Sequence, residues 1–116
     1  MSQHKGFKAE EHARDYLVQQ GLVWLASNYR CRLGEIDLIM QDGVYLVFIE
    51  VRSRRVSTHG NALESVTYTK QQKLMKTAMF YLTANKLHEQ HPIRFDVVSL
   101  QGQPVEMSWI KHAFGW

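Results

Sequence analysis

Cysteine and proline are both scarce in this chain of 116 residues, which has one cysteine, Cys31, and two prolines. A single cysteine cannot form an internal disulfide, which excludes a disulfide-stapled secreted scaffold. No run of about 18 apolar residues is present, which excludes a transmembrane helix. The N-terminal segment is polar and lacks the apolar stretch of a signal peptide. We therefore expect a cytoplasmic protein with no membrane partner.

The composition is that of an ordinary globular protein, with 45% apolar and 22% charged residues. These fractions exclude a disordered or collagen-like chain. The length favours one domain over residues 1–116, which can bury roughly 65% of the surface of the unfolded chain. The formal net charge of +3 is a mild basic bias. It is compatible with binding to a polyanion but does not establish it.

Hydrophobic periodicity predicts two helices and four or five strands. Residues 8–20 carry apolar side chains at helical spacing and are followed by Gly21, a common helix terminator. A second helix is predicted from about Lys70, where Thr69 and Gln72 fit a capping box. Runs of β-branched and aromatic residues predict strands over 22–29, 35–40, 44–52 and 93–100, with a short last strand over 105–110. This order predicts an α/β fold in which helices cover a mixed sheet.

The hairpin between the second and third predicted strands determines where the acidic side chains point. Asp42 and Gly43 are expected to form its two-residue loop, because both tolerate positive φ. Glu35 would then lie opposite Glu50, and Asp37 opposite Phe48. Because side chains alternate between faces, one face carries Glu35, Asp37, Glu50 and Arg52. The opposite face is expected to be core and carries Ile36, Leu38, Met40, Tyr45, Val47, Ile49 and Val51.

The clustered acids on this face have two explanations. Asp37 and Glu50 would be diagonal neighbours roughly 7–8 Å apart, close enough for both carboxylates to bind one cation. Carboxylates that share a site repel each other, and a hard cation such as Mg²⁺ or Mn²⁺ would relieve this repulsion. The alternative is a surface ion-pair network in which Arg52 and other basic residues neutralise the acids.

Two segments of the hairpin resemble a known metal-binding core. Gly34-Glu35-Ile36-Asp37-Leu38-Ile39 and Val47-Phe48-Ile49-Glu50-Val51-Arg52 are similar to the motif of the PD-(D/E)xK, or restriction-endonuclease-like, nuclease superfamily. More narrowly, the chain resembles the YraN-like family of small bacterial proteins from about Gly6 to Leu100. The resemblance implies a restriction-endonuclease-like core of order αβββαβ, with a possible extra C-terminal strand.

The same resemblance implies a cation site and its ligands. Asp37 and Glu50 match the acidic residues of the motif and would bind Mg²⁺ or Mn²⁺. Glu10 is similar to a helix-borne glutamate of archaeal Holliday-junction-resolvase-like members and would complete the coordination. The alternative for Glu10 is a solvated surface position.

Arg52 departs from the superfamily, which usually has lysine at this position. An arginine cannot act as a base, although its guanidinium can bind a phosphate oxygen with two donors. Three possibilities follow: Arg52 acts by its charge alone, Lys70 or Lys73 of the next helix supplies the ammonium, or the site binds without cutting. The candidate catalytic residues are therefore Asp37, Glu50, Arg52 and Lys70.

A set of basic and polar residues follows the third strand and opens the second helix. These residues would line a groove for DNA or RNA: Arg52, Arg54, Arg55, Lys70, Gln71 and Lys73. The alternative is an ordinary solvated surface. We expect a metal-dependent nuclease-like protein that hydrolyses phosphodiester bonds. The alternatives are a non-catalytic nucleic-acid-binding module and a protein-interaction domain, and a homodimer or protein partner is also possible.

Overall fold

The computed structural model describes residues 4–54, 65–87, 91–102 and 104–116, with the side chains of the first helix described from Ala9 onward. The elements follow in the order helix, three strands, helix, two strands. They are α1 (His4–Gln19), β1 (Val23–Cys31), β2 (Gly34–Asp42), β3 (Tyr45–Arg54), α2 (Tyr68–Ala84), β4 (Ile93–Gln101) and β5 (Glu106–Phe114). The predicted α/β class, with a mixed sheet and two helices, is confirmed.

The five strands form one sheet in chain order, β1-β2-β3-β4-β5. β3 and β4 pair in parallel, and the other three pairs are antiparallel. A parallel pair needs a crossover connection, which α2 provides. The described residues contain no helix long and apolar enough to cross a membrane. A cytoplasmic location stays a prediction from the sequence.

The central strands are buried on both faces. On one face, Phe48 packs with Leu74 and Ala78 of α2. On the other, Val47 and Ile49 pack with Leu17 of α1. The expectation that only one face is core was therefore incomplete, because the face that carries the acids also carries apolar residues that α2 covers. The acids occupy only the end of that face.

The hairpin register differs from the prediction by one loop position. Asp42 pairs with Tyr45, so the loop residues are Gly43 and Val44. Gly43 has φ 60°, and Val44 is not among the residues with positive φ. A glycine with positive φ at the first loop position is the pattern of a type II′ turn, which explains the shift. The shift moves the pairing by two residues, so parity is kept along the paired residues. The predicted pairings are wrong, because Phe48 lies opposite Ile39 rather than Asp37, and Glu50 does not lie opposite Glu35.

The second helix begins earlier than predicted. The hydroxyl of Thr67 accepts a hydrogen bond from the backbone N–H of Lys70, which makes Thr67 the N-cap. The predicted capping box of Thr69 and Gln72 is therefore wrong, because both residues already lie within the helix. Sequence alone did not distinguish two threonines that stand two residues apart.

A buried ionic network attaches β5 to the centre of the sheet. Asp96 of β4 is fully buried and accepts hydrogen bonds from Arg94, from the indole of Trp109 and from the backbone N–H of His112. Arg94 also donates to Asp42 of β2 at 2.8 Å. Each charge therefore has partners, as a buried ion pair requires.

Candidate metal and nucleic-acid site

The two motif acids lie where β2 and β3 separate. The last paired residues of this ladder are Leu38 and Ile49, so the register continued by one residue brings Asp37 opposite Glu50. Here Oδ2 of Asp37 accepts a hydrogen bond from the backbone N–H of Val51 at 2.8 Å. The Asp37 carboxylate thus accepts the Val51 N–H in place of a backbone carbonyl of a paired strand. This hydrogen bond fixes the carboxylate beside Glu50.

Alternation along β2 is interrupted at the same point. Ile36 and Ile39 both pack on the α2 side of the sheet, whereas Leu38 packs on the α1 side. The prediction that Ile36 shares a face with Leu38 is therefore wrong. Asn28 of the neighbouring strand has φ 54°, a left-handed conformation that interrupts the pleat of β1 beside this point.

Glu50 is almost completely buried, with 5% of its side chain exposed, and it faces two cations. Its Oε2 lies 2.8 Å from Nζ of Lys70 and 3.1 Å from Nη1 of Arg52. Lys70 comes from the first turn of α2, so the crossover helix brings a cation to the end of β3. This arrangement gives a buried carboxylate the charge partners that it needs.

The pKa of Asp37 is raised from 3.8 to about 7, first by burial and next by the charge of Glu50. The hydrogen bond from Val51 opposes this shift, and a hydrogen bond between the two carboxyl groups adds to it. An acid that is desolvated beside a second acid holds its proton, because ionisation would place two like charges together. Strongly shifted carboxyls are a common property of functional sites.

Arg52 is held by its surroundings rather than directed into solvent. Its Nε donates to the hydroxyl of Ser65 at 3.1 Å, and its Nη2 donates to the Ser65 carbonyl at 3.2 Å. Together with the contact to Glu50, these bonds use three nitrogens of the guanidinium. Ser65 was not predicted from the sequence, since it lies in a polar segment with no distinguishing pattern.

Glu10 lies on α1 near the two acids but does not form a compact cluster with them. Burial raises its pKa, a hydrogen bond with Asn28 lowers it, and the charges of Glu35 and Glu50 raise it. Among the described residues, no three His, Cys, Asp or Glu side chains are grouped so that they could hold a metal ion. Whether Glu10 binds a cation stays a prediction.

The donor set of the acidic pair nevertheless fits a small hard cation. The backbone N–H of Val51 contacts one oxygen of Asp37. The side chains of Arg52 and Lys70 contact one oxygen of Glu50. Carboxylate oxygens suit Mg²⁺, which usually keeps several waters and takes only one or two protein carboxylates. A positive charge here would also relieve the repulsion that raises the pKa of Asp37.

Three other residues were predicted for the site: Glu35, Gln71 and Lys73. Glu35 is exposed and forms an ion pair with Arg30 at 2.9 Å, so it does not join Asp37 and Glu50. Gln71 donates to the carbonyl of Val66, which is a structural contact at the start of α2. Lys73 is exposed and lines a cavity with Lys70.

Two further predicted residues follow the third strand. Arg54 is the last residue of β3 and is partly buried. Arg55 lies outside the described part of the chain.

Known proteins resemble this chain over nearly its whole length. The model of a family described as "Uncharacterised protein family UPF0102" matches residues 9–100. The chain belongs to the UPF0102 family. A UPF0102 protein of Legionella pneumophila (strain Corby) is 49% identical over 98% of this chain and 97% of its own length. Relatives from Stutzerimonas stutzeri and from Vibrio cholerae (strain ATCC 39315) are 48% and 44% identical, each over 97% of this chain, and cover 96% and 93% of their own lengths.

The UPF0102 match includes the whole acidic site. Residues 9–100 contain Glu10, Asp37, Glu50 and Lys70, and they end before β5. The predicted YraN-like family is confirmed at the level of this family.

Proposed function

We propose that this UPF0102 protein is a metal-dependent nuclease-like enzyme with a restriction-endonuclease-like core, which hydrolyses phosphodiester bonds of DNA or RNA. One observation carries the proposal. Two carboxyl groups lie in contact at the end of the sheet, one of them is almost fully buried, and two cations face it. Buried acids with a shifted pKa and specific charge partners are typical of hydrolytic centres.

Asp37 and Glu50 would hold Mg²⁺ or Mn²⁺ through the oxygens that their protein contacts leave available. A cation held there would lower the pKa of a bound water and place positive charge beside the phosphate. The Val51 hydrogen bond fixes the orientation of Asp37, and the ion pairs fix that of Glu50. Both side chains are therefore already in place before a substrate binds, which lowers the cost of reaching the reactive geometry.

Lys70 rather than Arg52 supplies the mobile positive charge. The Lys70 side chain is 43% exposed and reaches Glu50 through one ammonium group. Arg52 is restrained by Ser65 and Glu50 at the same time. The exposed ammonium of Lys70 thus has further N–H donors for a phosphate oxygen besides its contact with Glu50, whereas Arg52 positions Glu50. Lys73 and Arg54 extend the basic surface, and the predicted contribution of Arg55 and Gln71 is to the same nucleic-acid contacts.

Hydrolysis with matched variants tests this function. Single-stranded, duplex and branched oligonucleotides are incubated with the protein in millimolar Mg²⁺ or Mn²⁺. Asp37→Asn and Glu50→Gln should remove metal-dependent cleavage while the proteins remain folded by circular dichroism. Lys70→Met should lower the rate by roughly 100-fold, because it keeps the aliphatic stem and removes the charge. Cleavage that survives both carboxylate changes would contradict the assignment.

The second candidate function is a non-catalytic nucleic-acid-binding module. Arg52 favours it, because the residue in the lysine position is restrained by three contacts and cannot act as a base. Such a module would bind oligonucleotides in a salt-dependent manner without cleaving them in either metal. Binding that is independent of ionic strength would contradict both functions.

A further inference from the structure

A cavity of about 430 Å³ lies beside the acidic pair, between the β1–β2 turn and the first turns of α2. Gly34 and Glu35 form one wall, and Thr69, Lys70 and Lys73 form the other. Lys70 belongs to both places, because its ammonium contacts Glu50 at 2.8 Å. A ligand in the cavity would therefore contact Lys70, whose ammonium also contacts Glu50.

The two walls of this cavity are packed against each other at Gly34. A Cβ atom at this position would lie 2.9 Å from the hydroxyl of Thr77, and Gly34 has φ 152°. Thr77 is fully buried, and its hydroxyl donates to the carbonyl of Lys73 at 2.8 Å. This close contact fixes the turn against the helix, so the two walls of the cavity are preformed, as is usual for a ligand site.

The charge and the lining of the cavity suit a nucleotide. Lys70 and Lys73 line the helix side; the ammonium of Lys70 also contacts Glu50 at 2.8 Å, and Lys73 is exposed. The single acidic group, Glu35, is already paired with Arg30 at 2.9 Å. The buried side chain of Leu74 adds an apolar surface, and the hydroxyl of Thr69 adds a polar group. Cations at the rim suit a phosphate, and a mixed apolar and polar interior suits a base.

Two further cavities lie near this one, and the first of them adjoins it. A neighbouring cavity of about 360 Å³ shares Gly34 and Glu35 with it and is also lined by Arg30. A third, of about 190 Å³, is lined by Glu10 and Trp24 on the α1 side. The two cavities that share Gly34 and Glu35 suit an extended polymer better than a free mononucleotide.

We propose that the cavity between Gly34 and Lys73 binds an unpaired nucleotide, so that the preferred substrate of this protein is a single-stranded segment of nucleic acid. The inference rests on the proposed function, which it deepens by naming the substrate class. A base enters the cavity only after it leaves its partner and its stack. A single strand presents such a base without the unpairing energy that a duplex requires.

Equilibrium binding without divalent cations tests the proposal. Fluorescence anisotropy is measured in EDTA with a labelled single strand of about ten nucleotides, as DNA and as RNA, and with the matching duplex. The variants are Lys73→Gln, which removes a charge at the rim, and Thr69→Trp, which fills the cavity from an exposed position. Lys76→Gln is the matched control, since Lys76 is exposed on the same helix and lies outside the cavity lining.

The expected result is tighter binding of the single strand than of the duplex. Lys73→Gln should weaken single-strand binding roughly three- to tenfold and reduce the slope of log K against log salt by about 0.7. Thr69→Trp should weaken it without a change in slope, and Lys76→Gln should change it less than twofold. Equal binding of duplex and single strand would overturn the proposal, as would equal effects of Lys73→Gln and Lys76→Gln.

The same measurements separate this proposal from the proposed function. Binding in EDTA does not require hydrolysis. Intact single-strand preference with no cleavage in Mg²⁺ or Mn²⁺ would contradict the nuclease function and leave the cavity assignment in place. Cleavage with no strand preference would contradict the cavity assignment alone.

Discussion

At the scale of single residues, Asp37 is the residue with the largest electrostatic cost at this site. Its carboxyl group is buried beside Glu50, and this raises its pKa from 3.8 to about 7. The cost is present whenever the group is ionised without a neutralising cation. An acid that opposes its own ionisation destabilises the fold at neutral pH; under the proposed function, a bound cation would offset this cost.

The first prediction concerns the pH dependence of stability without metal. The folded state holds the Asp37 proton up to about pH 7, whereas the unfolded chain releases it near 3.8. The folded state therefore binds more protons between these values, and the free energy of unfolding falls as the pH rises through this window. The contribution is fully present below about pH 4 and lost above about pH 7, by roughly 4 kcal/mol at most.

Asp37→Asn isolates this contribution, because the amide keeps the acceptor for Val51 and carries no charge. Urea unfolding in EDTA should show the variant to be about 1–3 kcal/mol more stable than the native protein at pH 8. The difference should shrink towards pH 4. Millimolar Mg²⁺ should stabilise only the native protein. A constant difference across this pH range would contradict the shifted pKa.

At the scale of elements, the start of α2 brings together several parts of the site. Thr67 caps the helix, Lys70 in its first turn contacts Glu50, and Ser65 just before it holds Arg52. The direction of α2 from this cap determines whether the ammonium group of Lys70 reaches Glu50 at the end of β3. Helix capping and site geometry are therefore linked.

The second prediction compares the two threonines at this helix start. Thr67→Ala should lower the free energy of unfolding by about 1 kcal/mol, because it leaves the N–H of Lys70 without its side-chain acceptor. Thr69→Ala is the control and should change stability by a few tenths of a kcal/mol at most. Urea denaturation measures both. A larger loss for Thr69→Ala would restore the capping box that the sequence predicted.

The elements also show how far the sequence alone could predict this fold. Period-two alternation gave the strands, and parity placed Asp37 and Glu50 on one face even though the loop was displaced by one residue. Parity failed at Ile36, and Glu35 does not join the two acids, because no local signal marks the interruption beside Asn28. Ser65 was missed because its role depends on the distant guanidinium of Arg52.

The last strand was predicted too short for a similar reason. β5 continues to Phe114. Residues 111–114 include Lys111 and His112, whose polar side chains interrupt the apolar pattern that predicts a strand. The register between β4 and β5 shifts between Phe95 and Val97, where Asp96 accepts the N–H of His112. A buried carboxylate thus compensates for a polar sequence, and such a contact between distant residues has no signature in either segment.

At the scale of the whole molecule, a buried ion-pair network links strands at the end of the sheet where β4 begins. Arg94 is 7% exposed and Asp96 is fully buried, and their network reaches β2 and β5. Hydrophobic packing against α1 and α2 supplies most of the burial, but this network specifies which strands meet. Removing one partner of a buried pair leaves the other charge uncompensated.

The third prediction concerns this network. Asp96→Ala should lower the free energy of unfolding by about 3–5 kcal/mol, since Arg94 would remain buried without its main partner. The double variant Arg94→Leu, Asp96→Leu should lose less free energy of unfolding than the sum of the losses of its two single leucine variants. Both charges are removed together in the double variant. Equilibrium unfolding in urea measures the cycle. Additive losses would mean that the two residues act independently.

The parallel pairing of β3 with β4 has a consequence for the protein as it is synthesised. Asp37 and Glu50 leave the ribosome before Lys70, and β3 acquires its parallel neighbour only after the crossover helix has been made. A nascent chain thus carries its acids before the ammonium that faces them. Under the proposed function, this order of synthesis would leave the cutting centre incomplete until α2 and β4 have been made.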